Sequence, residues 1–297
     1  MKQILYIFTF LFSYSAFGQT CYVKSKIVDI NSNKGIPYSN IWILNKNSGT
    51  SSSVNGDFIM ETDSNAISTE KLKITAIGYY DTVVNISDIP DEIYLMPREY
   101  KIDEIIINPQ KKNTLILNPI TKKMDKTFWI CSNRPSIICR YFKNNEVNTE
   151  TNFIKSIIVY TEKSIKKHDF NVHVYEYDTI NKKPGDELIN DNILVTTESK
   201  FGFGFTENII DVSQFNLQFP NSGVLVGLEW IMTKENRYDE TISGVKIQYK
   251  EKKYGPDFLV TYENENITWM YARGYWFHKE ISFSKNICPA ISLILTD

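Results

Sequence analysis

The chain has little of what site chemistry usually needs. Its 297 residues include three histidines, so a histidine-based triad or a zinc site has few candidates. There is no Gly-x-Ser-x-Gly elbow and no P-loop. After the first 18 residues no apolar run approaches the ~20 residues of a membrane-spanning helix. Net charge is also scarce: 33 Lys and Arg against 35 Asp and Glu give −2, with no basic stripe and no acidic tail. This balance argues against a nucleic-acid partner. No motif implies a cofactor.

The start of the chain reads as a leader. Met1-Lys2 is positive, Ile4 to Phe12 is apolar apart from Thr9, and Ala16-Phe17-Gly18 is a small-residue cleavage site. This predicts a signal peptide over 1–18 and an exported protein of the periplasm, outer-membrane surface or exterior. Cys21 raises a lipoprotein alternative, but Gly18-Gln19-Thr20 does not match a lipobox. The four cysteines are Cys21, Cys131, Cys139 and Cys288. Cys131 and Cys139 flank a turn-like Ser132 to Ser136. They are read either as a disulfide, contributing about 2–3 kcal/mol, or as buried free thiols.

What the chain has in abundance is alternation. Short apolar–polar runs separated by Gly, Asn and Pro recur from Tyr22 to Met96. They predict seven or eight strands of an antiparallel sandwich. Gly35, Gly49, Asn55, Gly56 and Gly78 sit where turns need unusual φ, and Asn55-Gly56 suits a hairpin. Pro37 opens a strand, and Ile41, Ile43 and Phe58 face the core. From about residue 114, further strands are predicted over 153–160, 170–177, 192–197, 223–232, 243–249, 258–262 and 290–295. Lys182-Lys183-Pro184-Gly185-Asp186 reads as a strong turn. The fold class is therefore all-β, with a sandwich over 19–108 and a second, jelly-roll-like sandwich over 109–297.

The order Gly35-Ile36-Pro37, Gly49-Thr50-Ser51-Ser52, Asn55-Gly56-Asp57-Phe58 and Ala76-Ile77-Gly78-Tyr79 resembles the carboxypeptidase regulatory-like domain, a transthyretin-like sandwich. Despite its name, that resemblance implies a non-catalytic module. Such modules often stand at the front of exported Gram-negative proteins and precede another domain. The order Ile137 to Phe142, Phe153 to Ile157, Val172 to Tyr175, Pro184 to Leu188 and Val226 to Trp230 is similar to an uncharacterised sandwich often found behind it. That likeness implies architecture and no activity.

His173, Glu176 and His278 imitate the spacing of a metallocarboxypeptidase zinc site. On a strand, however, residues three apart face opposite ways, so the metal reading is rejected and His173 is taken as solvent-facing or hydrogen-bonded. His168, after Lys166-Lys167, reads as a solvated loop residue. Phe201-Gly202-Phe203-Gly204-Phe205 reads as a flexible aromatic loop or bulged strand. Paired carboxylates of a hydrolase cannot be seen in sequence alone. Trp269, Tyr271, Arg273, Tyr275 and Trp276 form an aromatic run that suits stacking on a sugar or an envelope protein, provided Met270 and Ala272 pack inward. The reading is an exported binding or assembly module without enzymatic activity. The alternative is a hydrolase with its site in the second sandwich.

Overall fold

The computed structural model describes residues 20–44, 46–99, 113–121, 123–126, 134–144, 151–243, 248–278 and 286–297. The predicted leader, the 108/109 boundary and Cys131 lie outside the described residues. Among the described residues the chain is almost entirely β, and no helix is long and apolar enough to cross a membrane.

The first unit holds β1 (Thr20–Asp29), β2 (Asn40–Ile43), β3 (Gly49–Ser51), β4 (Asp57–Asp63), β5 (Lys71–Thr75), β6 (Thr82–Asn85) and β7 (Glu92–Leu95). A short helix, α1 (Ser64–Thr69), follows β4. Two sheets result, ordered β4-β1-β7 and β3-β2-β5-β6. Strict alternation in β4 buries Phe58, Met60 and Thr62 and exposes the residues between them. Phe58, Ile41 and Ile43 join Ile27, Leu72, Ile74 and Leu95 in one core, as the alternation predicts. Burying each such side chain contributes roughly 1.5–3 kcal/mol.

Several turn expectations change. Gly35, Gly49 and Asn55 do not take a positive φ. Gly35 bridges Val28 and Gly49 opens β3. Both glycines are needed for close backbone approach, a Cβ there meeting the Asn55 carbonyl oxygen at 1.8 Å and the Ile41 carbonyl oxygen at 2.5 Å. Asn55-Gly56 does not close a hairpin: it carries the chain from β3 in one sheet to β4 in the other. Gly56 has φ 85°, and an added Cβ would lie 2.4 Å from the Ile27 carbonyl oxygen. Gly56→Ala is therefore expected to destabilise by about 2 kcal/mol, measured by urea unfolding. Pro37 lies in the turn before β2 rather than in the strand, because Tyr38 takes a left-handed φ of 55° and extension starts only at Asn40.

The second unit holds β8 (Thr114–Leu117), β9 (Asp125–Lys126), β10 (Ser136–Phe142), β11 (Phe153–Glu162), β12 (Asp169–Asp178), β13 (Lys183–Glu187), β14 (Ile193–Thr196) and β15 (Phe205–Asp211). It continues with β16 (Val224–Trp230), β17 (Arg237–Ser243), β18 (Gln248–Tyr254), β19 (Leu259–Glu263), β20 (Thr268–Ala272), β21 (Tyr275–His278), β22 (Asn286–Pro289) and β23 (Ile291–Thr296). A large sheet, β13-β12-β16-β10-β20-β21 with β14 also on β12, faces a four-stranded sheet, β15-β11-β23-β8. Ile138, Val172, Val174, Val226 and Trp230 from the first meet Ile154, Ile157, Ile291 and Leu293 from the second.

Of the predicted strand over 243–249, Ser243 ends β17 and Gln248 and Tyr249 open β18, antiparallel to it; 244–247 lie outside the described residues. Likewise, Lys182 to Asp186 is only in part a turn. Lys182 turns with φ 52°, and β13 then pairs with β12. Pro184 is tolerated because β13 is an edge strand, where a missing N–H breaks no ladder.

The large sheet is covered on both faces. Residues 170–175 of β12 are all buried, so Phe170, Val172 and Val174 face the core while Asn171, His173 and Tyr175 face the other way. That outer face meets the outer face of the β3-β2-β5-β6 sheet. Trp42 is buried at this seam, donating from Nε1 to the Pro135 carbonyl at 3.2 Å and meeting Tyr271 edge-on at 5.4 Å between centroids. Ser51 Oγ accepts from Met232 N–H at 3.0 Å.

Candidate functional site

A cleft of about 460 Å³ opens along this seam. The second unit contributes His173, Tyr175, Glu187, Glu229 and the β20–β21 hairpin; the first contributes Lys73, Tyr79, Asp81 and Arg98.

At its base, His173 is held between two carboxylates. Nδ1 lies 2.6 Å from Glu187 Oε1, and Nε2 lies 2.9 Å from Glu229 Oε2. The Tyr175 hydroxyl is 3.0 Å from Nδ1, and its ring stacks on the imidazole. Glu229 also accepts from Asn171 Nδ2 at 3.0 Å and from Asn40 Nδ2 across the seam. Backbone register builds this cluster. His173 on β12 faces Gly227 on β16, Asn171 faces Glu229, and Tyr175 faces Glu187 on β13. A Cβ on Gly227 would come within 3.3 Å of His173 Cβ and 2.9 Å of Cys139 Sγ, so glycine leaves room for the imidazole.

His173 and Glu229 are 4% and 2% exposed, so their charges must be compensated internally. Burial pushes the His173 pKa down, but Glu187 and Glu229 outweigh it and hold the imidazolium up at about 10. Burial pushes Glu229 up, but His173, Asn40 and Asn171 prevail, leaving it lowered. Burial drives the Tyr175 phenol well above its usual range.

The opposite wall is basic. Lys73 Nζ lies 2.9 Å from Asp81 Oδ2 and donates to Tyr271 Oη at 3.2 Å and to the Gly274 carbonyl at 2.9 Å. Burial lowers its pKa, but Tyr271 and Asp81 reverse this and leave it raised. Arg98 Nε donates to the Tyr79 carbonyl at 2.9 Å, and the Tyr79 hydroxyl donates to Asp29 Oδ2 at 2.9 Å. Burial and Asp29 hold that phenol up at about 12.

The aromatic run divides. Met270 and Ala272 pack inward, which is the condition set by the sequence. Tyr271, Tyr275 and Trp276 line the cleft, with Trp276 edge-on to Tyr175 at 5.1 Å and tilted on Tyr271 at 5.0 Å. Trp269 instead lies against His278 at 4.6 Å, away from the cleft. Arg273 reaches Asn47 at 3.4 Å from an exposed turn. Arg273 and Gly274, with φ 56° and 84°, form the two-residue link between Ala272 and Tyr275, the backbone a tight hairpin needs. Gly78 sits on the cleft rim, with φ 80°.

The zinc-like trio is dispersed. Glu176 is exposed on the face opposite His173, with Ser222 Oγ at 3.3 Å, and exposed His278 bonds to the Asn266 carbonyl at 2.9 Å. Among the described residues no group of His, Cys, Asp and Glu is arranged to hold a metal. His173 is not solvent-facing, and this corrects that half of the sequence reading. His168 needs a full correction: it is buried, with Tyr238 at 5.7 Å and no hydrogen-bond partner for either ring nitrogen among the described residues. Cys139, whose predicted partner is outside the described residues, is a buried free thiol.

Sequence reasoning missed Glu187, Glu229, Lys73 and Arg98. In comparisons with known proteins, no family model matches the chain and no curated protein matches it in sequence.

Proposed function

We propose that the seam cleft recognises a sugar unit of an envelope glycan without transforming it, and that the chain is an exported binding or assembly module. The observation carrying this reading is the pairing of aromatic faces with fixed charges in one concavity. Tyr271, Tyr275 and Trp276 supply apolar faces that suit a sugar ring. Arg98 and Glu187 flank them with donors and an acceptor for hydroxyls, while Lys73, whose three protons already go to Asp81, Tyr271 and Gly274, fixes the charge of that wall. We also propose that residues 19–108 form a transthyretin-like module acting as the second wall of the site. Its support is the turn order quoted above and a sandwich of three and four strands.

The hydrolase alternative has one observation in its favour: Glu187 and Glu229 converge on a histidine within the second unit. Their protonation states weigh against it. General acid–base work favours a group titrating near the operating pH. His173 is instead held charged and Glu229 ionised.

A glycan array followed by calorimetry tests the proposal. The wild type is expected to retain an oligosaccharide that is recovered intact by mass spectrometry. Tyr275→Ala, at a half-exposed position, is expected to weaken binding about fivefold, in line with one lost stacking contact of ~1 kcal/mol. Binding unchanged in Tyr275→Ala and Trp276→Ala would sink the cleft assignment. Cleavage abolished by Glu187→Gln would establish the hydrolase instead.

A further inference from the structure

Far from the chemistry of the cleft, one loop breaks the usual rule for apolar side chains. Phe201 is 89% exposed and Phe203 is fully exposed, while Ile165 beside them is 69% exposed. Single exposed apolar residues are ordinary, but two phenylalanines standing free at one loop tip, with Ile165 exposed on the adjoining segment, are not. The backbone is built to hold them out. Gly202 and Gly204 have φ of 118° and 108°, values that favour glycine, so the chain arches between the two phenylalanines. Nothing among the described residues lies within 4 Å of a Cβ placed at Gly202.

The arch has a firm base. Lys163 N–H donates to the Gly204 carbonyl at 3.1 Å, and Lys200 N–H donates to the Ser164 carbonyl at 2.9 Å. Ser199 Oγ donates to the Ile165 carbonyl, and Phe205 turns back onto Tyr160 at 5.8 Å between centroids. The tip is thus presented by a hydrogen-bonded pair of segments, 163–167 and 198–205.

Those same segments carry four lysines, Lys163, Lys166, Lys167 and Lys200, against one carboxylate, Glu198. Lys200 lies 2.5 Å from Glu198; within these bounds the set carries an excess of positive charge, with Glu162, Asp169 and Glu207 adjoining it on the side away from the tip residues 201–204. Lys163 Nζ lies 3.9 Å from a Cβ placed at Gly204, beside the phenylalanines. Lys166 Nζ reaches the Arg237 carbonyl at 2.6 Å, which holds it at the same end of the molecule.

We infer that this Phe-tipped, lysine-flanked loop docks onto the surface of an anionic lipid bilayer. The rings enter the headgroup–acyl boundary, and the lysine ammonium groups meet the anionic headgroups. Charge complementarity selects this occupant: a neutral apolar partner would leave the lysines without a role, and an anionic partner without apolar depth would leave the phenylalanines in water. Docking is shallow and reversible, because two rings bury far less than a spanning helix.

Sedimentation with phosphatidylcholine vesicles, with and without phosphatidylglycerol, tests the inference. The wild type is expected to bind the phosphatidylglycerol-containing vesicles, to release as salt rises, and to leave pure phosphatidylcholine largely unbound. Phe201→Ser with Phe203→Ser is expected to lose about tenfold or more of the binding, as is Lys163→Gln with Lys167→Gln. These side chains point outward, so thermal midpoints should match the wild type. Tyr275→Ala should leave sedimentation unchanged, which separates this surface from the cleft. The inference is overturned by equal binding to both vesicle types, by no binding to either, or by a phenylalanine double variant that sediments like the wild type.

Discussion

Replacing His173 by leucine is expected to destabilise the protein by about 3–5 kcal/mol, enough to shift a urea midpoint strongly. The side chain is of similar bulk, so volume is not the main cause. The imidazolium sits between Glu187 and Glu229 and is the cation that both carboxylates share. Without it, Glu229 keeps only Asn40 and Asn171 as donors at 2% exposure, and Tyr175 loses a partner at 3.0 Å. An uncompensated buried carboxylate costs more than the pair gained, so removing one member is worse than removing the charge altogether. The double variant His173→Leu with Glu229→Gln should therefore be less destabilised than His173→Leu alone, by about 1 kcal/mol or more. The glutamine amide carries no charge and keeps one oxygen, enough for Asn40 or Asn171 but not for both as they stand. If the two substitutions instead add, charge compensation is not what holds the seam.

The stability of this cluster explains why the site was less legible in the sequence than the fold. Ile41, Ile43 and Phe58 were readable because period-2 alternation alone selects the core face of a strand. The same rule put Met270 and Ala272 on one face and Trp269 and Tyr271 on the other, but left open which face packs inward. His173 obeyed that rule too, since alternation separated it from Glu176. What alternation could not show is that the other face of β12 is also buried, because the covering sheet comes from a different unit. The partners of His173 lie 14 and 56 residues away, joined only by register. Glu187 was hidden for a further reason: Lys-Lys-Pro-Gly-Asp carries turn chemistry, and only its place on a sheet edge allows it to extend. His168 followed two lysines and read as solvated. It is buried because Gly255 comes so close that a Cβ there would lie 2.4 Å from the ring, a long-range approach no local pattern records. The Asn55-Gly56 turn was correctly placed but wrongly joined, since turn residues specify a bend and not which sheet receives the next strand.

Stability is expected to peak near pH 6.5 and to fall on both sides, with a different histidine responsible for each limb. Burial, reinforced by the Lys166 cation and only partly opposed by Asp169, holds His168 down at about 4. An unfolded histidine titrates near 6.5, so between ~6.5 and 4 the unfolded chain binds a proton that the folded chain refuses. Stability therefore falls with decreasing pH, by about 3 kcal/mol in total at ~1.4 kcal/mol per pH unit. His173 has the opposite sign. Its folded pKa of about 10 lies above the unfolded value, so its contribution is fully present below ~6.5 and is lost as pH rises toward 10. Other groups enter at distinguishable points. Glu229, with its lowered pKa, withdraws stability only below the ordinary carboxylate range. The buried Cys139 and Cys288 thiols, both raised chiefly by burial, act only above ~8.5, where unfolded thiols ionise. The intervals from ~4.5 to 6.5 and from ~6.5 to 8.5 thus isolate the two histidines. Thermal midpoints measured across them should show the acid limb flattened in His168→Phe while the alkaline limb persists. In His173→Leu with Glu229→Gln, the alkaline limb between ~6.5 and 8.5 should flatten instead. An acid limb that survives His168→Phe in full would show that another group drives it and that His168 is not held down by its burial.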